Sequence, residues 1–412
     1  MSTIPDVLKL KWGSELKLPS SRALAGTPHF IGGRYPCRSV AYIPRLILSS
    51  VKKGKKTLIV LDPFMGSGTT AIEAILASCK TLGVELDPYA RLIATVSTTK
   101  LSSLELEQLG DALKKIAKNV KQTVPLQTVK PRLKNLEYWF SADNFDKLWK
   151  LRTCIKKYSK SAQSEALLLA ALGDIIRACS KAERQSLKPY ISKKFTKIEK
   201  DAHAEYFRIV PKYLEAVKQN NQNVHTGIQW LSGDATNFTT RLKVDIAITS
   251  PPYINAMDYT RCIKLESAWI GTADDEVIKS VKAGQLGEVS RRKVSKEDSG
   301  IKGICDRNFG ELLRLDRVRY ETALAYFYDM GRNIASVYRA LRNGGKYFII
   351  VGDSRLRGID VPTHKILAEI SKNAGFVWDH NFFYRIKDHR TSIPRGERGG
   401  KIEHEHVIGL TK

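Results

Sequence analysis

Four consecutive residues could do chemistry together. Ser250-Pro251-Pro252-Tyr253 bring a hydroxyl, a prolyl carbonyl and an aromatic ring into one tight corner. The prolines fix φ and supply no backbone N–H, so the corner is rigid and ends any strand running into it. Two acceptor oxygens can hold the two hydrogens of an exocyclic amino group, and a ring can stack on the flat heterocycle that carries it. Such an amine is a poor nucleophile because its lone pair is delocalised. Gripping both hydrogens favours a tetrahedral nitrogen and turns the lone pair toward a methyl electrophile held in line with it.

The electrophile needs a second loop. Asp62-Pro63-Phe64-Met65-Gly66-Ser67-Gly68-Thr69-Thr70 lies between an apolar run, Thr57 to Leu61, and a helical stretch, Ala71 to Ser78. Strand, glycine turn, helix is the arrangement in which backbone N–H groups at a helix start face a ligand. Gly66 and Gly68 allow positive φ and close backbone approach. The loop lacks the Gly-Lys-Ser/Thr of a phosphate-binding Walker loop and the third glycine of the dinucleotide fingerprint. Two acids follow at strand ends. Glu85 closes Thr81 to Leu86 and is placed to accept from ribose hydroxyls, while Asp87 is placed to cap the helix starting at Pro88. Asp234 follows Ile228 to Leu231.

Together these motifs resemble the amino-methylating DNA methyltransferases. Their catalytic signature is Asp, Asn or Ser, then Pro-Pro, then an aromatic residue, matched here by Ser250, Pro251, Pro252 and Tyr253. Their S-adenosylmethionine loop is matched by Asp62, Pro63, Phe64, Gly66, Ser67, Gly68 and Thr69. The resemblance covers residues 29–100 and 228–271, and 320–412 more loosely. It implies that Asp234 accepts from the cofactor's adenine amino group. It also implies that Tyr35, Pro36 and Arg38, in the loop before the first strand, fold over the cofactor's methionine end. The Ser form of the signature is associated mostly with cytosine N4, the Asp and Asn forms with adenine N6. A Cys nucleophile for carbon-5 methylation has no candidate after a buried strand, since Pro36-Cys37 lies in the leading loop.

The elements that must position these groups predict an α/β fold: a Rossmann-like methyltransferase whose mainly parallel sheet is closed by an antiparallel strand pair, with a helical insertion. Asp245 to Thr249 reads as a buried parallel strand leading into the corner. Residues 1–100 form the leading arm and cofactor half, and 226–412 the catalytic half. Residues 101–225 form the helical insertion, with helices over 104–120, 144–158, 164–181 and 197–219. Within 101–220 there are 24 Lys+Arg against 13 Asp+Glu, with Tyr138, Trp139, Phe140 and Trp149 interleaved. That is either a DNA-contacting, target-recognising part or a helical cap whose aromatics are its own core. Residues 274–319 read as a mobile basic segment around Arg291-Arg292-Lys293, and Lys387 to Lys401 as a phosphate-contact loop. Asp258, Tyr259 and Arg261 either shape a base pocket or brace the loop through a salt bridge. Tyr320 to Leu341 is a helix stopped at Asn343-Gly344-Gly345, followed by a strand from Lys346, a helix over 362–374 and two closing strands over 376–386 and 405–411.

Composition agrees with a polyanion partner. The 412 residues carry 68 Lys+Arg and 42 Asp+Glu, a formal net charge of +26. No apolar run is long enough to span a membrane, and the six scattered cysteines make neither a zinc pattern nor a disulfide framework, which fits a cytoplasmic protein needing no metal. The expected activity is S-adenosylmethionine-dependent methylation of an exocyclic amino group in double-stranded DNA, at cytosine N4, in a restriction-modification setting with a cognate restriction endonuclease as a candidate partner. Adenine N6 is the alternative base. An RNA amino-methyltransferase and a non-catalytic DNA-binding protein are the alternatives of another class.

Overall fold

The computed structural model describes residues 5–19, 28–33, 35–54, 57–121, 131–184, 186–194, 196–220, 227–254, 258–288, 297–386 and 402–412. Its centre is an eight-stranded sheet in the order β1-β11-β12-β8-β7-β2-β3-β4. The mutually parallel strands are β2 (Ile59–Asp62), β3 (Lys80–Gly83), β4 (Gln229–Trp230) at one edge, β7 (Val244–Thr249) and β8 (Leu341–Val351). Strands β11 (Val377–Arg385) and β12 (His404–Thr411) close the sheet as an antiparallel pair, with β12 inserted beside β8 and the short β1 (Ser14–Glu15) outermost. Two small ribbons, β5 (Gly233–Asp234) with β6 (Asn237–Phe238) and β9 (Ser354–Leu356) with β10 (Ile359–Val361), complete the strands.

The chain leaves β2 toward β3 and β4, then returns to build β7 on the other side of β2. That reversal makes a crevice at the carboxyl ends of β2 and β7, the usual ligand position in open α/β sheets. Alternation along the strands gives the sheet two buried faces. Val60, Ile246, Ile248 and Phe348 pack with Ile43, Leu46 and Ile47 of helix α1 (Tyr42–Lys52). Leu61, Ala247, Tyr347 and Ile349 face the opposite side, against residues of α10 (Ser299–Phe309), α12 (Arg317–Ala340) and α13 (Thr363–Asn373).

The glycine loop leads into α2 (Thr69–Leu76), and α3 (Pro88–Thr98) follows β3. Asp87 caps α3 by accepting from Tyr89 N and Ala90 N at 2.8 and 3.2 Å, with Pro88 at the first helical position. The insertion contains α4 (Ser103–Asn119), α5 (Ala142–Tyr158), α6 (Ala162–Ile176) and α7 (Ala202–Asn220). These helices share one buried core with α3 and with α8 (Tyr259–Ile270), which follows the catalytic corner; Tyr89, Ile93, Leu148, Leu168, Tyr213 and Trp269 all belong to it. Phe140 and Phe145 pack on Trp269, so these aromatics serve packing, whereas Tyr138 is 64% exposed.

Two expectations need correction. Helix α12 ends at Ala340, and β8 begins at once, so Asn343-Gly344-Gly345 is an irregularity inside a strand and not a helix stop. Val244 pairs with Leu341 but Ile246 with Lys346, and Gly344 takes φ +69° to absorb the extra residues. The segment 274–319 is also not an open loop. It contains α9 (Asp275–Gly284), α10 and α11 (Leu312–Leu315), and Ile301, Cys305 and Phe309 are buried. Arg291-Arg292-Lys293 and Lys387 to Lys401 lie outside the described residues.

Candidate active site

The glycine loop and the proline corner open on the same cleft. Strands β2 and β7 run parallel and in register, Val60 opposite Ile246 and Leu61 opposite Ala247, so both loops leave at one end of the sheet. Their tips are tied directly: buried Thr249 donates its hydroxyl to Asp62 Oδ1 at 2.6 Å, and Phe64 N donates to the same oxygen at 3.0 Å. The corner at 250–253 is non-strand, as two prolines require.

The cleft and the solvent at its mouth together span about 970 Å³. Most of the residues singled out from the sequence line it: Tyr35, Pro36, Arg38, Asp62, Pro63, Phe64, Gly66, Ser67, Thr69, Glu85, Asp234, Ser250 and Pro252. Three do not. Pro251 is buried within the corner, and Tyr253 stands beside the cleft with its hydroxyl donating to Glu405. Gly68 sits beneath it: at φ +86°, a Cβ there would lie 2.9 Å from Ala94 Cβ and 3.0 Å from Ala94 Cα, so its role is to let α2 pack on α3.

Each wall is braced. Glu85 accepts from Gly66 N at 2.7 Å through one carboxyl oxygen and from Asp87 N at 2.8 Å through the other, which fixes the glycine loop against the start of α3. Asp234 Oδ1 accepts from Thr236 N at 2.7 Å and Thr236 Oγ1 at 2.6 Å, forming a local turn. The leading loop is held by buried Glu73, which bonds His29 at 2.7 Å and Arg45 at 2.8 Å, and by Arg38 Nη1 donating to the carbonyls of His29 and Ile31. Gly32 N donates to Tyr213 of α7 at 3.0 Å, so the insertion supports the loop that walls the cleft.

The family described as DNA methylase, N6_N4_Mtase, matches residues 21–95, which span the leading loop, β2, the glycine loop, β3 and Glu85. Type II methyltransferase M.MvaI of Kocuria varians is 20% identical over 386 residues, 86% of this chain and 84% of the relative. Type II methyltransferase M.BsoBI of Geobacillus stearothermophilus is 21% identical over 77% of this chain and 72% of its own length. Type II methyltransferase M.AvaI of Nostoc sp. is 29% identical over 147 residues, 32% of this chain and 30% of the relative. These matches support the amino-methylating DNA methyltransferase family for this chain. The enzymes of this family take their methyl group from S-adenosylmethionine and act on DNA.

For such a methyltransferase the cleft has a suitable electrostatic character. Asp62, Glu85, Asp87 and Asp234 bring four acids to a cavity that must receive a cationic sulfonium, although the whole chain is basic. Burial pushes Asp62 up to about 6 and Asp87 up to about 6. Glu85 rises to about 7, through burial and the neighbouring Asp87 charge. A buried acceptor set of this kind, with an orphaned amide oxygen on Gln285 in the cleft wall, fits the hydroxyls and amino groups of an adenosyl amino acid.

Sequence reasoning missed one wall. Val281, Gly284, Gln285 and Leu286, on and just after α9, line the cleft. Helix α9 is held there by Lys282, which bonds Asp258 at 2.8 Å, while Asp258 also caps α8. Asp258 therefore makes the bracing salt bridge considered from the sequence, with Lys282 as its partner. Tyr259 lines the cleft itself. Nothing in the pattern of α9 marks it as a cofactor wall, because its partner carboxylate lies 24 residues away.

Among the described residues, Asp353, His364 and His406 also converge, with their ligand atoms within 4.8 Å of one another. His364 Nδ1 bonds Asp353 at 2.7 Å, and the two imidazoles stack 3.7 Å apart at 5°. Stacked parallel planes share no point, and an ion bound by an imidazole lies near its ring plane at about 2.1 Å from the nitrogen. In this arrangement the set serves as a stacked, hydrogen-bonded brace and not a metal centre. Among the described residues no helix is long and apolar enough to cross a membrane.

Proposed function

We propose that this methyltransferase modifies cytosine N4 in double-stranded DNA, as the modification half of a restriction-modification pair with a cognate endonuclease. The observation that carries it is Ser250: its residue lines the same cleft as the glycine loop, at the tip of the strand beside β2. The family's Asp and Asn signatures go mostly with adenine, and its Ser form with cytosine. The three relatives named above are all described as Type II methyltransferases, which supports the restriction-modification setting.

In this reading the target nucleotide leaves the duplex at a cost of about a few kcal/mol and stacks on Tyr253. Ser250 Oγ and the Pro251 carbonyl hold the amino hydrogens and turn the nitrogen lone pair toward the glycine loop. S-adenosylmethionine, when bound, would supply a sulfonium methyl for the nitrogen lone pair to attack, with the neutral thioether as leaving group and the amino proton lost to solvent. Glu85 would accept from its ribose hydroxyls, Asp234 from its adenine amino group, and Tyr35, Pro36 and Arg38 would cover its amino-acid end. Asp62, Pro63, Phe64, Gly66, Ser67 and Thr69 would shape the loop against it, and Gly68 would keep that loop on α3. Most of the acceleration comes from orientation, since the two loops share one rigid strand pair. The helices at 101–225, with a surplus of Lys and Arg, are the part assigned to DNA contact.

The test is incubation with labelled cofactor and unmodified duplex DNA, then digestion to nucleosides. N4-methylcytosine supports the assignment. N6-methyladenine would correct the base, and label confined to RNA would remove DNA as the substrate.

A further inference from the structure

The aromatic ring of the catalytic corner is held from the closing strand pair. Tyr253 donates its hydroxyl to Glu405 on β12, and Tyr384 on β11 donates to the other oxygen of the same carboxyl. Tyr384 and Glu405 are direct cross-strand partners in the β11–β12 ladder. Glu405 is only 8% exposed, so its acceptor oxygens depend on these two phenols. Gly352, just past β8, leaves room for the Tyr253 ring: an added Cβ there would stand 3.3 Å from Tyr253 Cε1. The ring is thus tied at its hydroxyl to β12, in space that the missing side chain of Gly352 leaves open.

We propose that Glu405 is a positioning residue for methyl transfer: it sets the Tyr253 ring to receive the extruded base, and the antiparallel pair that closes the sheet is thereby part of the base site. This rests on the reading of Tyr253 as the stacking surface. A ring that must face a base in one orientation needs its tilt restrained, which a hydroxyl anchored to a carboxyl on a separate strand achieves. Tyr384 supports Glu405 from behind and holds the carboxyl toward the corner.

The test uses the full chain, labelled S-adenosylmethionine and unmodified plasmid DNA under single-turnover conditions, with cofactor Kd measured separately by calorimetry. Tyr253→Phe keeps the ring and removes only the hydroxyl, so it does not depend on tolerance of a change at the buried acid. Tyr253→Phe and Glu405→Ala are each expected to slow transfer at least about tenfold, the loss of one buried hydrogen bond, and to leave cofactor Kd within about twofold. The double variant should be no slower than the worse single variant, and Glu405→Gln, which keeps an acceptor, should be milder than Glu405→Ala. Additive losses, or a fall in cofactor affinity matching the fall in rate, would overturn the positioning role. If Tyr253→Ala is inactive while Tyr253→Phe and Glu405→Ala are unimpaired, the positioning role fails and the stacking reading stands. If Tyr253→Ala is itself fully active, the stacking reading fails with it.

Discussion

Cofactor affinity should depend on pH through Glu85. Burial and the nearby Asp87 charge lift this acid to about 7, while both its oxygens already accept backbone N–H groups from Gly66 and Asp87. Ribose hydroxyls and a cationic ligand both favour the ionised form, so binding is strongest above the pKa and weakens as pH falls through it. If binding requires the carboxylate, Kd should rise about tenfold from pH 8 to pH 6, or about 1.4 kcal/mol. Glu85→Gln should remove this dependence and cost a further 10- to 100-fold at pH 8, roughly 1–3 kcal/mol, because one amide cannot accept from both N–H groups. The assay is calorimetric titration with S-adenosylmethionine at several pH values, with Glu85→Gln reporting the ligand's own titration. Proton release at pH 6, read by changing the buffer, gives an independent check. A wild-type profile that parallels the Glu85→Gln profile would refute the reasoning.

Other perturbations have comparable consequences. Gly68→Ala forces a Cβ against Ala94 at positive φ and should destabilise the fold by about 1–3 kcal/mol in urea unfolding, with cofactor affinity falling as the loop shifts. Thr249→Val removes the hydroxyl that satisfies buried Asp62 and should cost about 1–3 kcal/mol in the same assay; an unchanged midpoint would mean the two strand tips are not coupled there. His406 is pushed down to about 4 by burial and the adjoining His364 charge. Its neutral form is therefore favoured on folding, so stability should be full above about pH 6.5 and decline toward pH 4, by up to roughly 3 kcal/mol. His406→Phe should flatten that decline in unfolding midpoints measured across the range.

Local chemistry was legible along the chain, and distant pairings were not. The β7 strand is written in Ile246 to Thr249, and its end in two prolines. Helix α3 is announced by Asp87-Pro88, and the structure uses both residues as caps. The closing strands over 376–386 and 405–411 are legible in the sequence, but their insertion order beside β8 is not, because ladder order depends on side-chain packing across the sheet. The Thr249–Asp62 tie joins residues 187 apart, and Glu405 reaches Tyr253 across 152. No periodicity encodes such contacts. Gly68 carries a second constraint that the motif did not announce: its missing side chain leaves room for Ala94.

The most direct measurement is nucleoside analysis of duplex DNA after reaction with labelled S-adenosylmethionine, run on the wild type beside Ser250→Ala. Label in N4-methylcytosine, lost or greatly slowed in Ser250→Ala while that variant still binds cofactor, is the expected result. No label in DNA, label at cytosine carbon 5, or an unimpaired Ser250→Ala would contradict a shared site in which one strand tip holds the donor and its neighbour grips the base amino group.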